Sequence, residues 1–156
     1  MDKVVRNKEE LFHSMEMEVN SKMNFYLEKL NNYMKKNESE SKQILANFQL
    51  SDDKKCNLIS ECLEENIKFM IMAQEECKRK IKNIITIKQL ELMKYYHKVS
   101  DCKVYSPIAI KEAFTDFVDS MNSYRDNKLD EVKKNFYSYL LIVTRKHYSK
   151  FVVNNS

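Results

Sequence analysis

The chain has no glycine in its 156 residues and one proline, Pro107. Glycine normally supplies the positive-φ positions of hairpin turns, bulges and many helix C-caps. A sheet protein of this length is hard to build without it, so the chain is expected to be all-α. The same absence excludes Gly-rich phosphate-cradling loops, the dinucleotide-binding fingerprint and the nucleophile elbow of hydrolases, all of which require glycine at set positions.

The apolar spacing shows how the helices are laid out. Val5, Phe12, Val19, Tyr26 and Tyr33 recur at heptad spacing, and Met15, Met23, Leu27, Leu30 and Met34 widen that stripe. This is the period of a helix with one buried face, expected over about 3–49. The wholly polar stretch 35–41 reads as a break or frayed turn, after which Ile44, Leu45 and Phe48 resume the apolar face. Ser51-Asp52-Asp53 looks like a helix start, because short polar side chains accept the free N–H groups of a first turn. A second helix is expected over about 52–102, with Ile59, Leu63, Ile67, Met70, Cys77, Ile81, Ile84, Leu92, Tyr95 and Val99 on its apolar stripe.

Ser106-Pro107 is the clearest boundary. Serine caps well, and proline is tolerated at the first helical position, where its missing N–H has no intrahelical partner anyway. A third helix follows over about 107–152, its face marked by Ile110, Phe114, Phe117, Met121, Tyr124, Leu129, Val132, Phe136, Leu140, Val143, His147 and Phe151. Three segments of matched length, each roughly 70 Å if fully helical, joined by short connections, predict a single domain over 1–156. Its expected form is an elongated up-down-up three-helix bundle, or a coiled-coil-like assembly of three long amphipathic helices. The stripes mix Met, Tyr and Phe with few repeated Leu, looser than a strict coiled-coil seam.

Charge is the feature with the most functional content. Charged residues are 32% of the chain, against roughly 25% in an average domain, with a net charge of +4. Residues 1–50 balance, 51–76 carry three bases and seven acids, 77–103 carry eight bases and two acids, and 104–156 carry eight bases and six acids. The second helix is thus acidic at its start and basic at its end, which suits the helix macrodipole. Its bases Lys78, Arg79, Lys80, Lys82, Lys88, Lys94, Lys98 and Lys103 form a candidate partner- or anion-binding face, with Tyr95 and Tyr96 close enough to suggest base stacking. The plainer reading is that these bases answer acids on a neighbouring helix or on the 51–76 region of a second molecule. Lys78-Arg79-Lys80-Ile81-Lys82 also matches a short nuclear-localisation cluster.

Site chemistry is sparse. Glu10 and His13 have the Glu-x-x-His spacing of helix-borne di-iron sites, but such sites need a second copy, and Lys94 and Thr144 stand where His97 and His147 would require it. Cys56, Cys62, Cys77 and Cys102 fit no zinc-binding spacing and are expected to pack as small hydrophobes, Cys56 and Cys77 on the apolar stripe. His147 falls on the third apolar stripe and His97 at the edge of the basic surface. Ser39, Ser41, Ser51 and Ser60 lie near acids as candidate phosphorylation sites. Nothing calls for a cofactor, a metal or a small-molecule substrate.

The opening MDKVVRNKEE has no apolar stretch of signal-peptide length, and the longest strongly apolar run, 139–143, is far short of the roughly 20 residues of a membrane span. The expected location is intracellular, the cytoplasm before the nucleus, with the cysteines as thiols. The expected function is that of a non-enzymatic helical interaction or scaffold protein in a homo- or hetero-oligomeric assembly. The alternatives are a peripheral membrane module using the basic 78–103 face and a nucleic-acid-associated helical protein. In general architecture, without any shared motif, the pattern is loosely similar to spectrin-type and membrane-bending helical bundles.

Overall fold

The computed structural model describes the backbone of residues 2–101 and 106–155 and the side chains of 7–101, 106–147 and 149. The expected stripe residues Val5 and Phe151, together with Cys102 and Lys103, lie outside the described side chains. The chain forms three helices, α1 (Asp2–Ala46), α2 (Asp52–Ser100) and α3 (Pro107–Asn155), with no strand among the described residues.

α1 runs unbroken through 35–41, where the sequence suggested a break. The polar side chains there have partners in the fold. Asn37 Nδ2 donates to the Cys62 carbonyl at 3.0 Å, Lys146 Nζ pairs with Glu38 at 3.4 Å, and Ser41 is buried. α1 ends at Ala46, short of the expected 49, because Asn47 turns the chain. Its Oδ1 accepts the Gln49 N–H at 3.0 Å, a local bond that competes with the helix. Phe48 is therefore thrown outward and is 101% exposed, not on the apolar face that its spacing suggested.

The start of α2 is capped as expected, with Ser51 Oγ accepting the Lys54 N–H at 3.2 Å. Lys55 Nζ reaches back to the Leu45 carbonyl at 3.1 Å and ties the turn to the end of α1. Asp52 and Asp53 in the first turn and His97 and Lys98 in the last complement the helix dipole. At α3 the Ser106 carbonyl accepts the Ile110 N–H at 3.1 Å, and Pro107 opens the helix.

The chain divides into two compact units, each taking one portion of every helix. Unit 1 comprises Met1–Met23 and Cys77–Glu131. Lys8 Nζ donates to the Ala113 carbonyl and Phe12 meets Phe117, so α1 and α3 run parallel there. Gln89 bonds Asn122 at 2.7 Å while Tyr96 meets Phe114, so α2 is antiparallel to α3. The core of unit 1 contains Met15, Val19, Ile81, Ile85, Leu92, Ile110, Phe114 and Met121. Each large apolar side chain buried in this way contributes about 1.5–3 kcal/mol. Unit 2 comprises Asn24–Glu76 and Val132–Ser156. Asn37 meets Cys62 and Tyr33 stacks on Phe69, which makes α1 and α2 antiparallel there as well. Its core contains Tyr26, Leu30, Ile59, Met70, Val132, Phe136 and Val143.

Candidate functional site

Four features could carry function: the bases of α2, the histidines and cysteines, the buried polar groups, and the exposed apolar side chains.

The seven described bases of 77–101 do not share one face. At about 100° per residue, Lys78 and Lys82 fall on one flank of α2, Lys80 and Lys98 on the other, and Arg79 and Lys94 point away from the core stripe of Ile81, Ile85 and Leu92. Lys88 falls on that core stripe. Its side chain is only 11% exposed, and its ammonium pairs with Glu18 at 3.4 Å and Glu91 at 3.8 Å. Lys88 therefore belongs to the packed interior and not to a solvent-facing basic surface. Tyr95 and Tyr96 also turn inward, with ring centroids 6.1 and 5.0 Å from Phe114, so they offer no open platform for base stacking.

Each unit gathers segments of opposite net charge around α2. In unit 1 the basic part of α2 packs beside the early part of α3, where 104–131 carries three bases and six acids. In unit 2 the acidic 51–76 packs with 132–156, which carries five bases and no acids. Arg79 and Lys94 remain directed outward.

The metal and nucleophile candidates stay apart. Glu10 and His13 are both exposed, and no group of three or more His, Cys, Asp or Glu that could hold a metal forms among the described residues. Cys77 is buried, Cys56 and Cys62 are half-buried, and none of the three is in a disulfide. His97 is exposed against the edge of Tyr96. Of the serines, Ser39 and Ser51 are exposed and Ser60 is half-buried. Ser41 is sealed in the core, which removes it as a phosphorylation site in the folded chain.

Unit 2 holds a small polar cavity of about 30 Å³, lined by Ser41, Asn66, Glu38, Lys146, His147 and the apolar side chains around them. Ser41 and Asn66 are each 2% exposed, and Asn66 Oδ1 has no hydrogen-bond partner. The volume matches a single water, which would satisfy that oxygen. Nearby, Tyr33 lies flat on Phe69 at 3.9 Å, and burial, then the carboxylates of Glu65 and Glu40, raise its hydroxyl pKa above the usual value. Unit 1 has its own orphan, the buried Tyr124 hydroxyl, which has no partner. Burial first, then Glu16 and Glu131, push its pKa up to about 12. Both phenols thus stay protonated at neutral pH. Neither lies in a constellation of nucleophile and base.

The exposed apolar side chains make a more extensive feature. In unit 1, Ile87, Leu90 and Met93 step by three residues across the outward side of α2 and are 54, 57 and 43% exposed. Met93 reaches a groove of about 290 Å³ between α2 and α3, lined with Tyr96, Lys111, Phe114, Thr115, Val118 and Asp119. Ile108, 72% exposed, adds a further apolar side chain on α3 of the same unit. Sequence reasoning missed this ridge. The signal was present as a second apolar set, 87/90/93, interleaved with the core set 85/92/99. No protein-family model, curated protein or solved structure matches this chain. Among the described residues no helix is long and apolar enough to cross a membrane.

Proposed function

We propose that this is a non-enzymatic helical interaction protein, a scaffold subunit whose working surface is the outward side of α2 in unit 1. The observation that carries this reading is the ridge of Ile87, Leu90 and Met93 beside an apolar groove. Water-exposed apolar surface at helical spacing is the usual complement of a partner's amphipathic helix. Methionine in the ridge and groove adapts to such a partner at small cost. The assembly, whether of like or unlike chains, would form inside the cell, where Cys56, Cys62 and Cys77 stay as thiols.

Exposed Arg79, Lys94 and Lys98 beside the ridge favour an anionic membrane surface as the second reading. One experiment separates the two. Wild-type protein and Leu90→Asp are compared for retention of proteins from the native cell and for pelleting with phosphatidylserine vesicles. The interaction reading expects a reproducible protein partner that is lost with Leu90→Asp, and no pelleting. Pelleting without a protein partner transfers the surface to the membrane, and neither result rejects both readings.

A further inference from the structure

We propose that the partner of this surface is an amphipathic helix with acids along one flank and bases along the other, laid in the groove between α2 and α3 of unit 1. The proposal rests on the interaction reading above and names the chemistry of its occupant. Every residue it uses lies within Cys77–Glu131 of that unit.

The groove has an apolar bed and two rims of opposite charge. Met93, Tyr96, Phe114 and Val118 line the bed. On α2, exposed Lys94 lies within about 20° of the direction opposite buried Leu92, and exposed Lys82 lies on the same flank as Met93. Glu91, an acid of α2 in this stretch, is already paired with Lys88. On α3, exposed Glu112, Asp116 and Asp119 all fall within about 40° of the direction opposite buried Phe114. Lys111 is turned only about 60° from Phe114, low on the α3 wall and beneath those acids. The bond from Gln89 to Asn122 and the contact of Tyr96 with Phe114 fix the register, which sets Lys94 level with Asp116 across the groove.

A helix in this groove buries its apolar stripe on the bed and the Leu90 ridge, with one flank over the bases of α2 and the other over the acids of α3. Opposite charges on its two flanks complement both rims at once. An anionic bilayer would meet the three acids together with Lys94, a repulsion that the two-flanked helix avoids. A second copy fits poorly, because α2 against α2 sets bases on bases, and α2 against α3 lays Leu90 and Met93 on acids.

The test uses the full chain and three labelled, Ala-rich helical peptides of about 18 residues. All carry the same leucine stripe. Their two flanks are Glu and Lys, Glu and Glu, or Lys and Lys. Binding is read by fluorescence anisotropy, with circular dichroism to show that each protein variant is folded. The Glu-and-Lys peptide is expected to bind about tenfold tighter than either uniform peptide, to weaken as salt rises and to be lost with Leu90→Asp. Lys82→Glu with Lys94→Glu should turn the preference to the all-Lys peptide, and Asp116→Lys with Asp119→Lys should turn it to the all-Glu peptide. Three equal affinities, no binding, or a preference untouched by both reversals would each overturn the proposal. So would Leu90-dependent dimerisation in light scattering or Leu90-dependent pelleting with phosphatidylserine vesicles. A Leu90-dependent protein partner from the native cell, found where the peptides show no charge preference, overturns this inference alone and leaves the interaction reading standing. A reversal that fails to fold is replaced by Lys82→Gln with Lys94→Gln, which should erase the gap between the Glu-and-Lys and all-Lys peptides.

Discussion

The two units are made from the same three helices with the same apolar period and both contain aromatic contacts, yet they handle buried polar groups differently. Unit 1 closes over aromatic rings: Phe12 sits edge-on to Phe117 and Tyr124 at 5.7 and 5.4 Å, and the ammonium of Lys8 lies over the Phe114 and Phe117 rings. Lys88, buried in this unit, is held by two carboxylates. Unit 2 instead keeps a water-sized polar cavity around Ser41 and Asn66, with the Glu38–Lys146 pair at its lining. The apolar ridge and groove belong to unit 1. Ring contacts beneath a docking surface fix its side chains, which lowers the entropy lost on binding. A hydrated polar interior specifies helix register through hydrogen bonds at some cost in stability.

Chemical denaturation can break or sharpen this contrast. The largest effect is expected from Ile85→Ala in unit 1, at about 3–4 kcal/mol of lost stability, because rigid neighbours cannot refill the space. The matching Ile59→Ala change beside the unit 2 cavity should cost about 1 kcal/mol less, since water already has access to that site. Equal losses would erase the distinction between the cores. Next comes Lys88→Glu, which gathers three carboxylates around Glu18 and Glu91 and should cost about 3 kcal/mol. Lys94→Glu, on the exposed side of the same helix, should stay within about 0.5 kcal/mol.

Asn66 Oδ1 has no partner in the protein, and Asn66→Leu replaces this amide and the water-sized space beside it with apolar atoms, so a gain of up to about 1 kcal/mol is expected. A loss would mean that the polar interior of unit 2 is fully satisfied through water. The smallest effect at neutral pH belongs to Tyr124→Phe, a gain below about 1 kcal/mol from deleting an unpaired hydroxyl. Its pH dependence is more telling. The phenol pKa is raised in the fold to about 12 from an ordinary value of 10.0, so the folded state holds the proton more tightly. The stability tied to that proton is fully present below pH 10 and is lost as pH rises toward 12. Tyr124→Phe should flatten this alkaline loss in a melting series, whereas an unchanged slope would assign the loss to other groups.

Much of the architecture was legible because helix physics is local. Met15, Val19, Tyr26 and Leu30 on α1, and Met121, Val132, Phe136 and Val143 on α3, are buried as their period requires, and Ser106-Pro107 opens α3 as capping rules demand. The misses arose where a distant side chain decides the outcome. Lys88 looked like a surface base because its long apolar stem and the carboxylate of Glu18 enter only through the neighbouring helix. Residues 35–41 looked like a break because their partners, Cys62 and Lys146, are remote in sequence. Ile87, Leu90 and Met93 went unnoticed because an apolar residue beside a core stripe cannot be assigned to inside or outside from one helix alone. Phe48 was misplaced by a single Asn47 side-chain bond.

No described residue has a positive φ, and the link from α1 to α2 is closed with asparagine and serine side chains. Every described position is therefore open, as far as its own backbone is concerned, to residues carrying a β-carbon. Selection on such a chain acts through side-chain volume and polarity, with no position reserved for the one residue that has neither.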